Sequence, residues 1–148
     1  LVCLVLLLGA CAADPTRVPA MDANPACPDL MRWGAPQVYG EWRVELPDLG
    51  QSGRLLLRQH PEFRASLRGE FEYGGHHSIA SGDLEAGAFN LDESRDGKTY
   101  HAFWTGRLST EDCGREIRGT WEEARPDAQP GITSHFVLRR VSTAGAGW

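Results

Sequence analysis

The histidines and the adjacent acidic pairs are the first side chains in this sequence to consider for catalysis or metal binding. His76 and His77 are neighbours, and neighbours in an extended strand point to opposite faces, so they cannot bind one ion together. The pairs Asp92-Glu93 and Glu122-Glu123 are interpreted as strand ends and solvent-facing positions rather than as a catalytic dyad. The sequence contains no G-x-S-x-G, no H-E-x-x-H and no phosphate-binding loop. We therefore expect a protein that is not an enzyme and that uses no metal or cofactor.

The beginning of the chain carries a second kind of chemistry, acylation of a thiol. An apolar run, interrupted only by Cys3, leads to Leu8-Gly9-Ala10-Cys11, a pattern typical of a cleaved signal peptide and too short for a membrane span. This stretch resembles a bacterial lipoprotein signal, whose lipobox is Leu-x-(Gly/Ala)-Cys. The resemblance implies lipidation of Cys11, cleavage before it and anchoring in the cell envelope. Ala12 in place of Asp implies the outer membrane, facing the periplasm.

An ordinary secretory signal cut nearby is the alternative. The charged start of a signal peptide is missing, which predicts a truncated leader. With Cys3 removed and Cys11 acylated, Cys27 and Cys113 remain, and they are 86 positions apart in an oxidising compartment. We expect a disulfide between them, contributing about 4 kcal/mol by restricting the unfolded chain. A metal or redox pair is disfavoured because the chain has no C-x-x-C.

Charge and length exclude some functions. The 148 residues carry a net charge of −5 without any basic run, which argues against nucleic acid as a partner and against adsorption to anionic lipid.

The expected organisation is a leader over 1–10, a lipidated, Pro-rich tether over 11–26, one domain over 27–141 and a flexible tail over 142–148. An extended tether would reach roughly 45 Å from the membrane.

The elements that must position any site are strands. A single helical turn is expected near Cys27–Trp33, and from Tyr39 onward apolar residues alternate with polar ones. Turn signals such as Gly74-Gly75 and Asp96-Gly97 separate most of the strands. Eight strands are predicted: Tyr39–Leu46, Gly53–His60, Ser66–Tyr73, His76–Leu84, Ala88–Ser94, Thr99–Leu108, Glu116–Glu123 and His135–Arg140. Their short connections predict an antiparallel meander.

Glycines inside these strands indicate that the sheet closes on itself. The pattern apolar-x-Gly-x-apolar recurs at Gly40, Gly69, Gly82, Gly106 and Gly119, each with the parity of the core-facing residues. Glycine weakens a strand unless the strand bends sharply or a neighbour must fit over it. Charged residues occupy the opposite parity, so the outside faces water. We predict an all-β, single eight-stranded antiparallel up-and-down β-barrel.

The first and last strands of this barrel resemble those of the calycin superfamily, which includes lipocalins, avidins and fatty-acid-binding proteins. Gly40-Glu41-Trp42 matches the Gly-x-Trp of the first calycin strand, and Arg140 matches the last-strand arginine that packs over that Trp and bonds the preceding turn. Arg139 should face water. The middle-loop motif and the final helix of lipocalins are missing, and no biotin-site motif can be placed. The length is closer to avidins or to eight-stranded protease-inhibitor lipoproteins of bacterial envelopes.

Two sets of residues are candidates for binding. The alternation along the strands points several aromatic and polar side chains into the barrel, which predicts an aromatic cup with polar tips, of the kind that binds small apolar or amphipathic ligands. The alternative is an interior that is packed with these side chains. The residues of this cup are Trp42, Tyr73, His76, Ser78, Tyr100, Trp104 and Trp121. Exposed loops are the second set, with Phe63 in Gln59–Arg64 and Pro126 and Pro130 in Ala124–Thr133. These loops would dock or inhibit an envelope protein, for example a hydrolase. A structural lipoprotein without a ligand is the third hypothesis.

Overall fold

A computed structural model describes residues 27–127 and 129–142, which form a closed barrel of eight antiparallel strands. Each strand pairs with the next one along the chain, and the last pairs with the first. The strands are β1 (Gly40–Leu46), β2 (Gln51–Gln59), β3 (Leu67–Tyr73), β4 (His76–Glu85), β5 (Ala88–Ser94), β6 (Ala102–Leu108), β7 (Glu116–Glu123) and β8 (Thr133–Arg140). The predicted fold is confirmed. The leader, Cys11, the tether and residues 143–148 lie outside the described residues.

One strand boundary differs from the prediction in a way that matters for the site. β6 begins at Ala102 rather than at Thr99, because Asp96 organises the preceding residues into a turn. Its carboxylate accepts the backbone N–H of Lys98 and of Thr99, each at 2.8 Å, and the Thr99 hydroxyl at 2.9 Å. A short side chain that bonds nearby backbone in this way competes with extended structure. The alternation of inward and outward side chains therefore does not extend through residues 95–101.

The connections between strands alternate between the two ends of the barrel. One end, called the capped end, comprises residues 27–39, 60–66, 86–87 and 109–115, and the other, the loop end, comprises 47–50, 74–75, 95–101, 124–127 and 129–132. Two short 3₁₀ turns, Leu30–Arg32 and Ala35–Val38, cover the capped end and bury Leu30, Ala35 and Val38. The predicted helical turn is confirmed as the first of these.

The predicted disulfide is present and holds this cap in place. Cys27 and Cys113 are bonded, with their Cα atoms 5.0 Å apart, which joins the start of the cap to the β6–β7 connection. Beside the bond, a Cβ added to Gly114 would come within 2.7 Å of the Trp33 ring and 2.8 Å of the Leu30 side chain. Glycine at 114 thus lets the cap approach the barrel closely.

Arg140 packs over Trp42 and bonds the turn before β1, which closes the capped end. Its guanidinium lies 5.5 Å from the centre of the Trp42 ring and donates to the carbonyl oxygens of Gln37 and Tyr39, each at 2.6 Å. The Trp42 indole N–H donates to the Val38 carbonyl at 2.9 Å. Arg139 points outward, as expected, and pairs with Glu45 at 2.7 Å. These contacts tie β1 and β8 to the cap.

Two of the predicted strand glycines show how tightly the sheet coils. A Cβ at Gly82 would lie 2.0 Å from the Asn90 carbonyl oxygen, and one at Gly119 would lie 2.0 Å from that of Thr105. The backbone of the adjacent strand therefore occupies the space that a side chain would need. Glycine at such positions permits the sharp bending that a small closed barrel requires.

Candidate functional site

A buried carboxylate defines the chemistry of the loop-end half of the interior. Glu93, at the end of β5, is 1% exposed. It accepts hydrogen bonds from the Tyr73 hydroxyl at 2.7 Å, from the Ser78 hydroxyl, and from the Trp104 indole N–H at 2.8 Å. The Trp121 indole N–H donates in turn to the Tyr73 hydroxyl at 3.2 Å. We call these five residues the Glu93 cluster.

The cluster satisfies its carboxylate with neutral donors. Isolated burial of a carboxylate is strongly unfavourable, whereas each hydrogen bond to a charged group contributes about 1.5–3 kcal/mol. The three direct donors belong to β3, β4 and β6, so the carboxylate links strands on both sides of β5. Burial and the adjacent Glu93 charge raise the pKa of Tyr73, so its phenol stays protonated and remains a donor.

His101 connects the cluster to the surface of the loop end. Its ring lies edge-on to Trp121, with ring centres 6.1 Å apart, and its backbone N–H donates to the Glu93 carbonyl at 2.7 Å. Burial lowers the pKa of the His101 imidazole below its ordinary value, although the Glu93 charge opposes this shift. The ring is therefore neutral at neutral pH, and it lies between solvent and the interior.

The structure brings four of the predicted ligand residues together: Tyr73, Ser78, Trp104 and Trp121 all belong to the Glu93 cluster. Glu93 itself was missed, because an acidic pair was interpreted as solvent-facing. A signal for it exists in the sequence. Phe89 and Leu91 point inward, and the same alternation places Glu93 inside.

The other three predicted ligand residues lie elsewhere. The prediction that Tyr100 points inward is wrong: its side chain is 63% exposed and contacts Phe103, because the Asp96 turn interrupts the alternation. The same prediction for His76 is wrong, since the first residue of β4 lies at the rim and is exposed. Trp42 points inward, but it lies beside the cap and under Arg140, away from the Glu93 cluster.

The interior around Trp104 is filled by side chains, which corresponds to the packed alternative. Phe71 stacks on Trp104 with ring centres 4.5 Å apart, and Phe136 meets it edge-on at 5.1 Å. Trp42 and Trp104 are both fully buried. A depression of about 380 Å³ lies outside this core, at the loop end. It is lined by Ser52, Glu72, Tyr73, Gly74, Gly75, His76 and His77.

The two predicted docking loops lie at opposite ends of the barrel, so they cannot form one surface. Phe63 lies at the capped end and is 60% exposed, whereas Pro126 and Pro130 lie at the loop end, where both are exposed. The loop end also exposes two large side chains, one that was predicted to point inward and one inside the predicted docking loop Ala124–Thr133. These are Tyr100, at 63%, and Ile132, at 54%.

The described residues include no helix long and apolar enough to cross a membrane. Within 27–127 and 129–142 there is also no group of three or more His, Cys, Asp or Glu side chains placed to hold a metal ion.

Fold and site together define a small, closed, eight-stranded antiparallel barrel with a polar cluster inside one end. No protein-family model matches the chain, and no curated protein matches it in sequence.

Proposed function

We propose that this chain is a lipid-anchored protein of the bacterial envelope that is not an enzyme and that binds another envelope protein through its loop end. The observation that carries the docking proposal is the exposure of Tyr100 and Ile132 on two neighbouring connections of the loop end. Large apolar and aromatic side chains presented on a rigid scaffold are typical centres of protein–protein interfaces. The lipid anchor rests on the lipobox resemblance at Cys11.

Backbone hydrogen bonds connect the two segments that carry these side chains. The Ala124 N–H donates to the His101 carbonyl at 2.9 Å, and the Glu123 N–H donates to the Ile132 carbonyl at 2.8 Å. The Asp96 turn orders the residues before Tyr100, and the Glu93 cluster lies beneath. A surface that is already ordered loses little conformational entropy on binding, which favours affinity.

The packed interior favours docking of a protein partner rather than binding of a ligand in a deep pocket. Any small molecule would have to bind at the rim, because aromatic side chains fill the space around Trp104. The resemblance to eight-stranded protease-inhibitor lipoproteins is consistent with a hydrolase as the partner. In such an arrangement the barrel supplies rigidity and the loop end supplies the contact surface.

The test is site-specific photo-crosslinking in the native envelope, followed by a binding measurement. A photoreactive residue at position 100 or 132 should crosslink to one protein, whereas the same probe at Thr105, exposed on the outer face of β6, should not. Tyr100→Ser with Ile132→Ser should then weaken binding of that purified partner at least about tenfold. Equal affinity of the double variant and the wild type would refute the proposal.

A second candidate function is binding of a small amphipathic ligand at the rim. The depression beside Tyr73 has a volume of about 380 Å³ and combines a Tyr wall with His76, His77 and Glu72. This volume lies within the range of small-molecule sites. A ligand there would alter the fluorescence of Trp121, which bonds Tyr73. His76→Ala should weaken that response and His135→Ala should not; an equal effect of both would count against a rim site.

A further inference from the structure

The capped end exposes two large apolar side chains on fixed backbone. Met31 is 59% exposed and Phe63 is 60% exposed. The Met31 N–H donates to the Asp29 carboxylate at 3.1 Å, and the Phe63 N–H donates to the ring of the buried His60 at 3.2 Å. Both segments are therefore ordered, and their apolar side chains are left facing solvent.

Two depressions open at the capped end, near the segments that carry these side chains. A depression of about 440 Å³ adjoins Met31 on one side of the Ala86–Gly87 turn, and a wider one of about 950 Å³ lies on the other side, bordered by Arg64. Exposed charges of both signs lie around them, and an arginine follows each apolar residue, Arg32 after Met31 and Arg64 after Phe63. Apolar side chains flanked by guanidinium groups suit the boundary between acyl chains and phosphate headgroups.

The chain joins the barrel at this same end. Cys27 is the first described residue, and its disulfide to Cys113 fixes it beside the cap. Cys11, the position that the lipobox resemblance assigns to lipidation, lies sixteen residues earlier in the sequence. A lipid anchor at that position would connect the membrane to the capped end through a tether of at most roughly 45 Å, so the capped end is the end that the tether draws toward the membrane.

We infer that the capped end rests on the lipid bilayer, with Met31 and Phe63 inserted into its interfacial region. This inference depends on the proposed lipid attachment at Cys11. The contact is mainly apolar, since charges of both signs surround the two side chains and give no preference for anionic lipid. The loop end, with Tyr100 and Ile132, then faces away from the membrane, where a protein partner has access to it.

The experiment measures the depth of single positions after the full chain, expressed and processed in bacteria, is mixed with vesicles. Met31→Cys and Phe63→Cys are each labelled with an environment-sensitive fluorophore while the native disulfide stays oxidised. Tyr100→Cys and Ile132→Cys serve as matched controls, because their native side chains are about equally exposed at the other end. The vesicles contain phosphatidylethanolamine and phosphatidylglycerol with a nitroxide-bearing lipid as quencher.

We expect the labels at 31 and 63 to be quenched severalfold more strongly than those at 100 and 132. Replacing phosphatidylglycerol by a zwitterionic lipid should leave that difference unchanged. If the protein floats with the vesicles but all four labels are quenched equally, the orientation is refuted while the lipid anchor stands. If the protein fails to float with the vesicles, the anchor and the orientation are both refuted. Crosslinking of position 63 to a protein instead of lipid quenching would also overturn the inference.

Discussion

Replacing Tyr73 by Phe removes one hydroxyl group from the Glu93 cluster and leaves the aromatic ring in place. The ring keeps its edge-on contacts with Phe71 and Trp104, whose centres lie 5.7 and 5.6 Å away. Two hydrogen bonds are lost: the one donated to Glu93 at 2.7 Å and the one accepted from Trp121 at 3.2 Å. The variant therefore isolates the polar contribution of the cluster.

The expected loss follows from the burial of the two partners. Removing a donor from a buried carboxylate costs about 1.5–3 kcal/mol, and leaving the Trp121 N–H without an acceptor adds about 1 kcal/mol. We therefore expect the free energy of unfolding to fall by roughly 3 kcal/mol, a large part of the 5–15 kcal/mol that is typical of a domain. Urea unfolding followed by tryptophan fluorescence should show a midpoint lower by about 2 M with an unchanged slope.

Tyr100→Phe is the control, because it removes the same hydroxyl from an exposed side chain. Its unfolding free energy should stay within about 0.5 kcal/mol of the wild type. A double-mutant cycle of Tyr73→Phe with Glu93→Gln should further give a coupling energy of about 1–2 kcal/mol. If Tyr73→Phe changes stability no more than Tyr100→Phe does, the Glu93 cluster does not stabilise the fold as described.

Three further outcomes are expected. Without reductant, alkylation should add no mass at Cys27 or Cys113, and free thiols in the native protein would contradict the described bond. The double variant Cys27→Ser with Cys113→Ser should have a free energy of unfolding lower by about 4 kcal/mol. Gly119→Ala should lower the free energy of unfolding by about 2–3 kcal/mol, because the added Cβ would lie 2.0 Å from the Thr105 carbonyl oxygen. Gly34→Ala is the control, since a Cβ there would have no atom closer than 3.8 Å, and it should change stability little in the same urea assay. Because burial lowers the pKa of His101 below 6.5 in the folded state, the unfolded chain takes up the proton more readily, so stability should decrease as pH falls below 6.5. In thermal melts, the melting temperature of His101→Gln should depend less on pH below 6.5 than that of the wild type. An identical pH dependence of the two proteins would refute this role of His101.

The alternation of side chains predicted most of the barrel because each strand buries one face. Trp42, Trp104 and Trp121 all point inward as expected. Parity with Leu138 selected Arg140 over Arg139 as the inward residue, whereas the contact of Arg140 with Trp42 was expected from the calycin resemblance and not from this alternation. Tyr100 was misplaced for a local reason. The hydrogen bonds of Asp96 to Lys98 and Thr99 curl the chain before β6, whereas the sixth strand was predicted to begin already at Thr99.

The Glu93 cluster was harder to predict, because its stability depends on strands that are distant in sequence. An acidic residue at a strand end is usually solvated, and only donors from β3, β4 and β6 make burial of this one favourable. The separation of Phe63 from Pro126, by contrast, follows from counting strands. The β2–β3 and β7–β8 connections must lie at opposite ends of an up-and-down barrel.

The pairing of β1 with β8 also determines when the barrel can form. Trp42 lies opposite Arg140, so the chain closes only after its last strand is available. Until then the hydrogen-bonding groups along one side of β1 and one side of β7 have no partner strand, and unpaired edges invite association with other chains. A chain that lost β8 to proteolysis or early termination would keep these edges permanently, which makes it prone to aggregate.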